Sequence, residues 1–461
     1  MGELRELEKF GNMNKLITCA SLAAVGATSL HAQFTGNDSG QKPWFMSAKL
    51  RGFYDDNYTT GGSGAGQIPK RSSWGMMASP SLGYNAQWDV TTLSLSYEYD
   101  AFYYADRDAS KQPGAIGSTD PIDSSHQAKL GFSHSFSEQF KLDLSDSFVV
   151  AQEPTVIDPT IQTSYLRTQG DNVRNTANAA LTMGLTKSLS SVVSYSNTLK
   201  DYKESGDGSR SALLDGMDQL ISVDGRWSFS ESTTGVVGYQ FEDYDYSSKY
   251  RLFPTVGPGY ALTPAQAALI PTSKSRDQRS HFLMGGVDES LTAKLSAQVR
   301  VGAQYTEFYN LPNSPTKWSP YADANVSYQF GEGSTARVGV RHARNGTDVG
   351  FESILSALAG AETLDQESTT LWGSLSHRIT PLLTATLRGQ WQNGRFEGGS
   401  ADGQYDNYYS GEVNFSYKLP QCWKFLTTFV EAGYSYDRLD SDLINRSFTR
   451  NRGYLGLKAD L

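Results

Sequence analysis

The side chains best suited to move protons near neutral pH are histidines. They stand at His31, His126, His134, His281, His342 and His377. A hydrolytic site needs one of them beside a nucleophile and an orienting carboxylate. His134, His342 and His377 instead share a face with Phe132, Val340 and Leu375, and His281 has no clear Ser or Asp partner. Of the two cysteines, Cys19 lies in an apolar N-terminal run and Cys422 stands alone. Cys422 therefore reads as structural. No acidic spacing fits a calcium loop, and no motif fits a metal site or a phosphate cradle. The expectation is a protein without catalytic residues, cofactor or metal. What does recur is arginine. Arg300, Arg337, Arg341 and Arg388 each fall on the polar side of an alternating segment. Arginine stays charged and offers several donors. Glu98, Asp143, Asp224 and Glu242 occupy the same kind of position with the opposite sign.

These residues sit in segments whose polarity alternates with period 2, the strand period, with no sustained period of 3.6. In 409–419, Tyr409, Gly411, Val413, Phe415, Tyr417 and Leu419 alternate with Ser410, Glu412, Asn414, Ser416 and Lys418. In 294–305, Leu295, Ala297, Val299 and Val301 alternate with Ser296, Gln298, Arg300 and Gly302. In 93–103, Leu93, Leu95, Tyr97 and Tyr99 alternate with Ser94, Ser96, Glu98 and Asp100. Such segments run to roughly 11–15 residues, against about 5–6 for a globular strand.

The connections alternate in length. Short ones centre on Asp89, Ser137-Glu138-Gln139, Leu189-Ser190, Ser230-Glu231-Ser232, Thr292, Gly331-Glu332-Gly333, Thr380-Pro381 and Pro420-Gln421. Longer ones cover 59–73, 105–123, 152–173, 203–210, 247–277, 309–316, 346–366, 397–406 and 440–445. About eight turns and about nine loops imply an all-β, antiparallel, up-and-down transmembrane barrel of about 18 strands, with 16–20 as the margin of the count. The sheet must close, because an open edge in lipid leaves backbone groups unpaired. Aromatic residues cluster where strands meet long loops, as at Phe53-Tyr54, Phe102-Tyr103-Tyr104 and Tyr305 to Tyr309, and suggest a girdle at headgroup level.

Composition agrees. The chain has 461 residues, with 44 Gly, 26 Tyr, 19% charged residues and a mean hydropathy of −0.45. Outside the N-terminus no apolar run is long enough for a membrane helix. A net charge of −9 without a basic patch argues against nucleic acid as a partner. Residues 1–12 read as an upstream start artefact. Residues 13–32 read as a signal peptide, with Lys15 ahead of an apolar run and a cleavage site at Leu30-His31-Ala32. Residues 33–43 then form a short periplasmic segment, and 44–461 the barrel.

The last strand, Tyr454 to Leu461, alternates Leu455, Leu457, Ala459 and Leu461 with Tyr454, Gly456, Lys458 and Asp460. It resembles the closing-strand signal of bacterial outer-membrane proteins, with Gly456 followed by apolar positions; the departure is Leu461 where an aromatic is usual. The opening Leu50-Arg-Gly-Phe-Tyr-Asp-Asp-Asn57 resembles the Tyr-Asp-x-Asn start of β-barrel porin-like families. The resemblance implies residence in the cell outer membrane, contact with its lipid, and insertion by the barrel-assembly machinery through the C-terminal strand. It also implies a porin-like channel for passive or weakly selective diffusion of small hydrophilic solutes. The alternative is a structural or adhesive barrel with a closed lumen and binding loops. Oligomeric state stays open, a homotrimer being one option.

In a barrel, one parity of each strand faces the lumen. Arg300, Arg341 and Arg388, on the eleventh, thirteenth and fifteenth expected strands, would form a basic ladder on one wall. Glu98, Asp143, Asp224 and Glu242, on the third, fifth, eighth and ninth, would stand mostly apart, with Glu412 and Glu431 as candidate partners for Arg388. Opposed walls would set a transverse field. Two loops, 247–277 and 351–361, are more apolar than exposed loops should be, and either narrow the pore, pack against another barrel wall or form a self-packed extracellular cap. The second carries a helical pattern at Phe351, Ile354, Leu355 and Leu358.

Overall fold

The structure is a computed structural model. It describes residues 43–62, 69–107, 120–151, 170–257, 259–420 and 426–461. The expected export signal, Cys19 and Cys422 lie outside the described residues.

Alternating segments become strands, each paired with the strand before and after it. The first nine are β1 (Trp44–Asp55), β2 (Ser73–Gln87), β3 (Thr91–Tyr104), β4 (Ile122–Ser135), β5 (Phe140–Ala151), β6 (Asn172–Gly184), β7 (Leu189–Tyr202), β8 (Gly216–Ser228) and β9 (Thr233–Tyr246). The second nine are β10 (Gln278–Thr292), β11 (Leu295–Glu307), β12 (Thr316–Gly331), β13 (Ser334–Asn345), β14 (Asp365–Arg378), β15 (Leu383–Glu397), β16 (Tyr405–Lys418), β17 (Thr427–Ser441) and β18 (Phe448–Asp460). All pairings in this 18-stranded sheet are antiparallel, and β18 pairs with β1 from Ser47↔Asp460 to Asp55↔Arg452. The sheet is thereby closed and has no free edge, the condition that lipid imposes on a strand-built span.

Turns and loops alternate as the two ends of the barrel require. Two expected turns move: the one centred on Thr292 falls at 293–294, because Thr292 still pairs at the end of β10, and the other shifts further. The chain reverses at 185–188, not at Leu189-Ser190, because Thr186 accepts the backbone N–H groups of Ser188 and Leu189 through its hydroxyl. That local bond closes the turn early and releases Leu189 to start β7.

The two faces of the wall differ as the period demands. Leu50, Trp74, Leu82, Val237, Leu283, Val301, Trp318, Leu387 and Leu455 are exposed on the outside, where the medium is lipid. The closing strand shows why its signal residues are spaced as they are. The ring of Tyr454 lies on Gly433 of β17, and the Arg51 guanidinium sits 4.3 Å from its centroid. Gly456 faces Arg51 across the β1–β18 seam, where a Cβ would strike the Leu50 carbonyl and the Arg51 stem. Leu461 ends the chain, half exposed, and its N–H donates to the Met46 carbonyl.

Candidate functional site

The inner wall is the place where this fold can do chemistry on a solute. Arg300 projects inward from β11, its Nη2 2.7 Å from Asp288 Oδ1 on β10. Asp288 also takes Arg226, which reaches across from β8 and is 2% exposed. Asp224, one inward step from Arg226 on β8, lies in the field of both Arg226 and Arg300. On β13, Arg341 faces Asp323 of β12 in register, and Arg337 faces Ser327 of β12 and Ser374 of β14. Asp218 of β8 and Glu242 of β9 stand in each other's field and in that of Arg341 and Lys200. Arg388 on β15 approaches Glu412 of β16 at 3.9 Å.

Away from this group, Glu98 accepts from Lys49 Nζ at 2.7 Å and from Ser79 at 3.0 Å. Asp143 lies 2.9 Å from Lys141. Glu431, considered as a partner for Arg388, instead takes Arg51 from β1 at 2.5 Å.

Two segregated walls are therefore not what the lumen contains. Asp224 and Glu242 stand among the arginines, together with Asp218, Asp288 and Asp323, and the remaining acids carry lysines of their own. The physical reason is local. A charge on a wall is partly desolvated, and the nearest compensation is a cross-strand neighbour about 5 Å away. Charges on the same, the adjoining or the next strand but one win over opposition across the pore.

At the end of the barrel that carries the long loops the wall itself bends. Pairing of β12 with β13 stops at Ala322↔His342, while β13 stays paired with β14 as far as Asn345↔Gln366. The freed end of β13 leans over the lumen. The Arg344 N–H donates to Gln304 Oε1, an inward side chain of β11, at 2.9 Å. The Arg344 guanidinium binds both oxygens of Asp365 at 2.7 Å and donates to Ser319. Sequence reading missed Arg344 because its parity places it with the outward set.

Above this bend the long loops form a cap. The β7–β8 connection carries helix α1 (Arg210–Leu214), capped by Ser209 accepting from the Ala212 N–H. The 247–277 connection carries helix α2 (Pro264–Ala267), with a Thr263–Gln266 capping box, and the 346–364 connection carries helix α3 (Ile354–Leu358). Arg276 is fully buried between them. Its guanidinium donates to Leu213 O at 2.6 Å, Thr347 O at 3.1 Å and Val349 O at 3.2 Å, and lies 4.7 Å from the Tyr246 ring centroid. Phe253 and Phe351 meet edge to face. Arg446, from 442–447, extends the contact by binding Asp348 and Asp406, each at 2.7 Å. The two apolar loops thus pack on each other as a chord across the mouth from the β7–β8 side to the β16–β18 side. Burial raises the carboxyls of Asp215 and Glu362 in this cap and pushes Asp277 up to about 6.

The five described histidines all lie on outward parities. Each ring bonds a neighbour on the wall: Tyr97 for His126, Thr91 for His134, Tyr239 for His281, Thr369 and Glu367 for His342, Ser334 for His377. Four Asp residues that each follow a Tyr on a strand, in Tyr54-Asp55, Tyr99-Asp100, Tyr244-Asp245 and Tyr436-Asp437, also divide. Asp55, Asp100 and Asp437 face inward, where Arg450 holds Asp55 and Arg452 holds Asp437. Asp245 faces outward and accepts from Tyr309.

Residues 268–461 match the family described as "Putative beta-barrel porin 2". With that match on a closed 18-stranded wall, the assignment follows. The chain is a bacterial outer-membrane β-barrel. It is porin-like, and its place is the cell outer membrane. No curated protein matches the barrel's sequence. Among solved structures, OpdK of Pseudomonas aeruginosa is similar at 9% identity and a TM-score of 0.43, over 91% of this chain and 99% of that chain. OccK9 (OpdG) of the same organism is similar at 12% and 0.44, over 91% and 98%. OccAB4 of Acinetobacter baumannii is similar at 11% and 0.43, over 92% and 100%.

Proposed function

We propose that this barrel is a passive, weakly selective channel for small hydrophilic solutes, narrowed at its extracellular mouth by the loop cap. The observation that carries the reading is the inner wall, where arginines and carboxylates alternate with Ser, Asn and Gln and pair with one another. Such a wall offers water and solutes hydrogen-bonding partners along the pore. Because its charges are matched nearby, little net field remains to exclude either sign. In this reading the barrel performs no catalysis and needs no cofactor. Residues 13–32 act as a cleaved export signal, and β18 with Leu461 is the segment the barrel-assembly machinery engages.

The interlocked cap favours a second reading, a surface-binding barrel whose lumen stays shut. Planar-bilayer recording separates the two. The channel reading expects stepwise conductance from the purified folded barrel, larger after deletion of 247–277. A folded barrel that is silent in both forms would sink it and leave the loops as the functional surface.

A further inference from the structure

The outer wall carries one feature that neither lipid contact nor a polar lumen explains. Asp146 lies on β5 at the outward parity, between Leu144 and Phe148, and opposite Leu130 of β4. Among the described residues it is the charged side chain that faces outward in the middle of a strand. Other outward charges, such as Arg279, Glu289, Glu307 and Asp440, stand near strand ends. Asn175 of β6 donates to both Asp146 oxygens, at 3.2 and 3.0 Å. The polar strip continues along the register. Asp146 faces Ala177, Ala177 faces Asn197 of β7, and Asn197 faces Gln219 of β8, which accepts from Tyr195. Beside it lie Ala128, Ala177 and Ala179, small residues that let another wall approach. An ionisable group against hydrocarbon is costly and is retained where something other than lipid covers it.

We propose that the outer face of β4–β8 is where two copies of this barrel join side by side. The chemistry of the strip selects a second copy. Asn175, Asn197 and Gln219 each carry donors and an acceptor, whereas Asp146 only accepts. In a two-fold contact the same patch meets itself, so amides pair with amides and each carboxylate takes a donor from the facing copy. The alanines set the spacing, and the carboxylate leaves the hydrocarbon.

The test measures the mass of the full barrel in lipid nanodiscs, before and after Asp146→Leu. Heat-modifiable gel mobility verifies that the variant is folded. The expected result is a two-chain mass that falls to one chain in the variant. In a Cys422→Ser background, Ala179→Cys cross-links the two copies, while Leu457→Cys on β18 does not. A single-chain or three-chain mass in the unaltered barrel overturns the proposal, as does an assembly that Asp146→Leu leaves intact. Contact with lipid alone predicts the opposite signature, a raised unfolding midpoint in the variant with no change in mass.

Discussion

At the scale of single residues, the barrel depends on charges whose partners come from far along the chain. Arg450 of β18 and Asp55 of β1 meet at 2.5 Å across the closing seam, and both are almost fully buried. Removing one member leaves a buried charge uncompensated, at a cost of about 3–5 kcal/mol. Arg450→Ala should therefore lower the stability of the folded barrel by about that amount, read as the shift in the urea unfolding midpoint in detergent. The cap offers a pH test. Asp277 is raised by burial and by Asp245, against hydrogen bonds from the Tyr246 N–H and Asn310 that hold it down. A raised carboxyl binds its proton more tightly in the folded cap than in the unfolded chain. Its contribution is full below the ordinary value of 3.8 and is lost as pH rises through about 6. Proteolysis within 247–277 should slow as pH falls through about 6, and Asp277→Asn should flatten that dependence. Equal cleavage rates on both sides of this range would refute the assignment.

At the scale of elements, strands were legible and their company was not. Alternation marks β3, β11 and β16 without ambiguity, because one parity of each carries no charged residue from Leu93 to Tyr103, Leu295 to Tyr305 and Tyr409 to Tyr417. The same parity told in advance that Arg300, Arg337, Arg341 and Arg388 share the side of Ser296 and Asn414. It even held the outward placement of Asp146, beside Leu144 and Phe148, for a reader who asked which charges break the pattern. What alternation does not carry is register. The partners Asp288 and Asp323 follow from which residues stand opposite, and that depends on turn geometry. Arg276 was invisible for a different reason, since its acceptors are backbone carbonyls of two other loops and no side-chain pattern announces them. Because it holds three connections together, Arg276→Met should strand three carbonyls and cost about 1.5–3 kcal/mol per charged hydrogen bond lost. Hydrogen exchange should rise together in 203–215, 247–277 and 346–364. A rise confined to 247–277 would show that the loops are held independently.

At the scale of the whole molecule, the matched lumen makes a sharp electrical prediction. Replacing Arg300, Arg341 and Arg388 with Gln removes three positive charges and leaves Asp224, Asp288, Asp323 and Glu412 without them. The reversal potential in a salt gradient should move toward cation selectivity, from a starting point near non-selective. Unchanged potentials would mean that the current does not pass this wall. The shift should shrink as salt is raised, because the Debye length falls to about 3 Å at 1 M.

The single guanidinium that joins three loops also bears on kinetics. Parts that share one fastener do not loosen in sequence. If the mouth flickers, its recordings should show two levels and no ladder of intermediate steps, with dwell times lengthened or shortened as a unit by any change at Arg276.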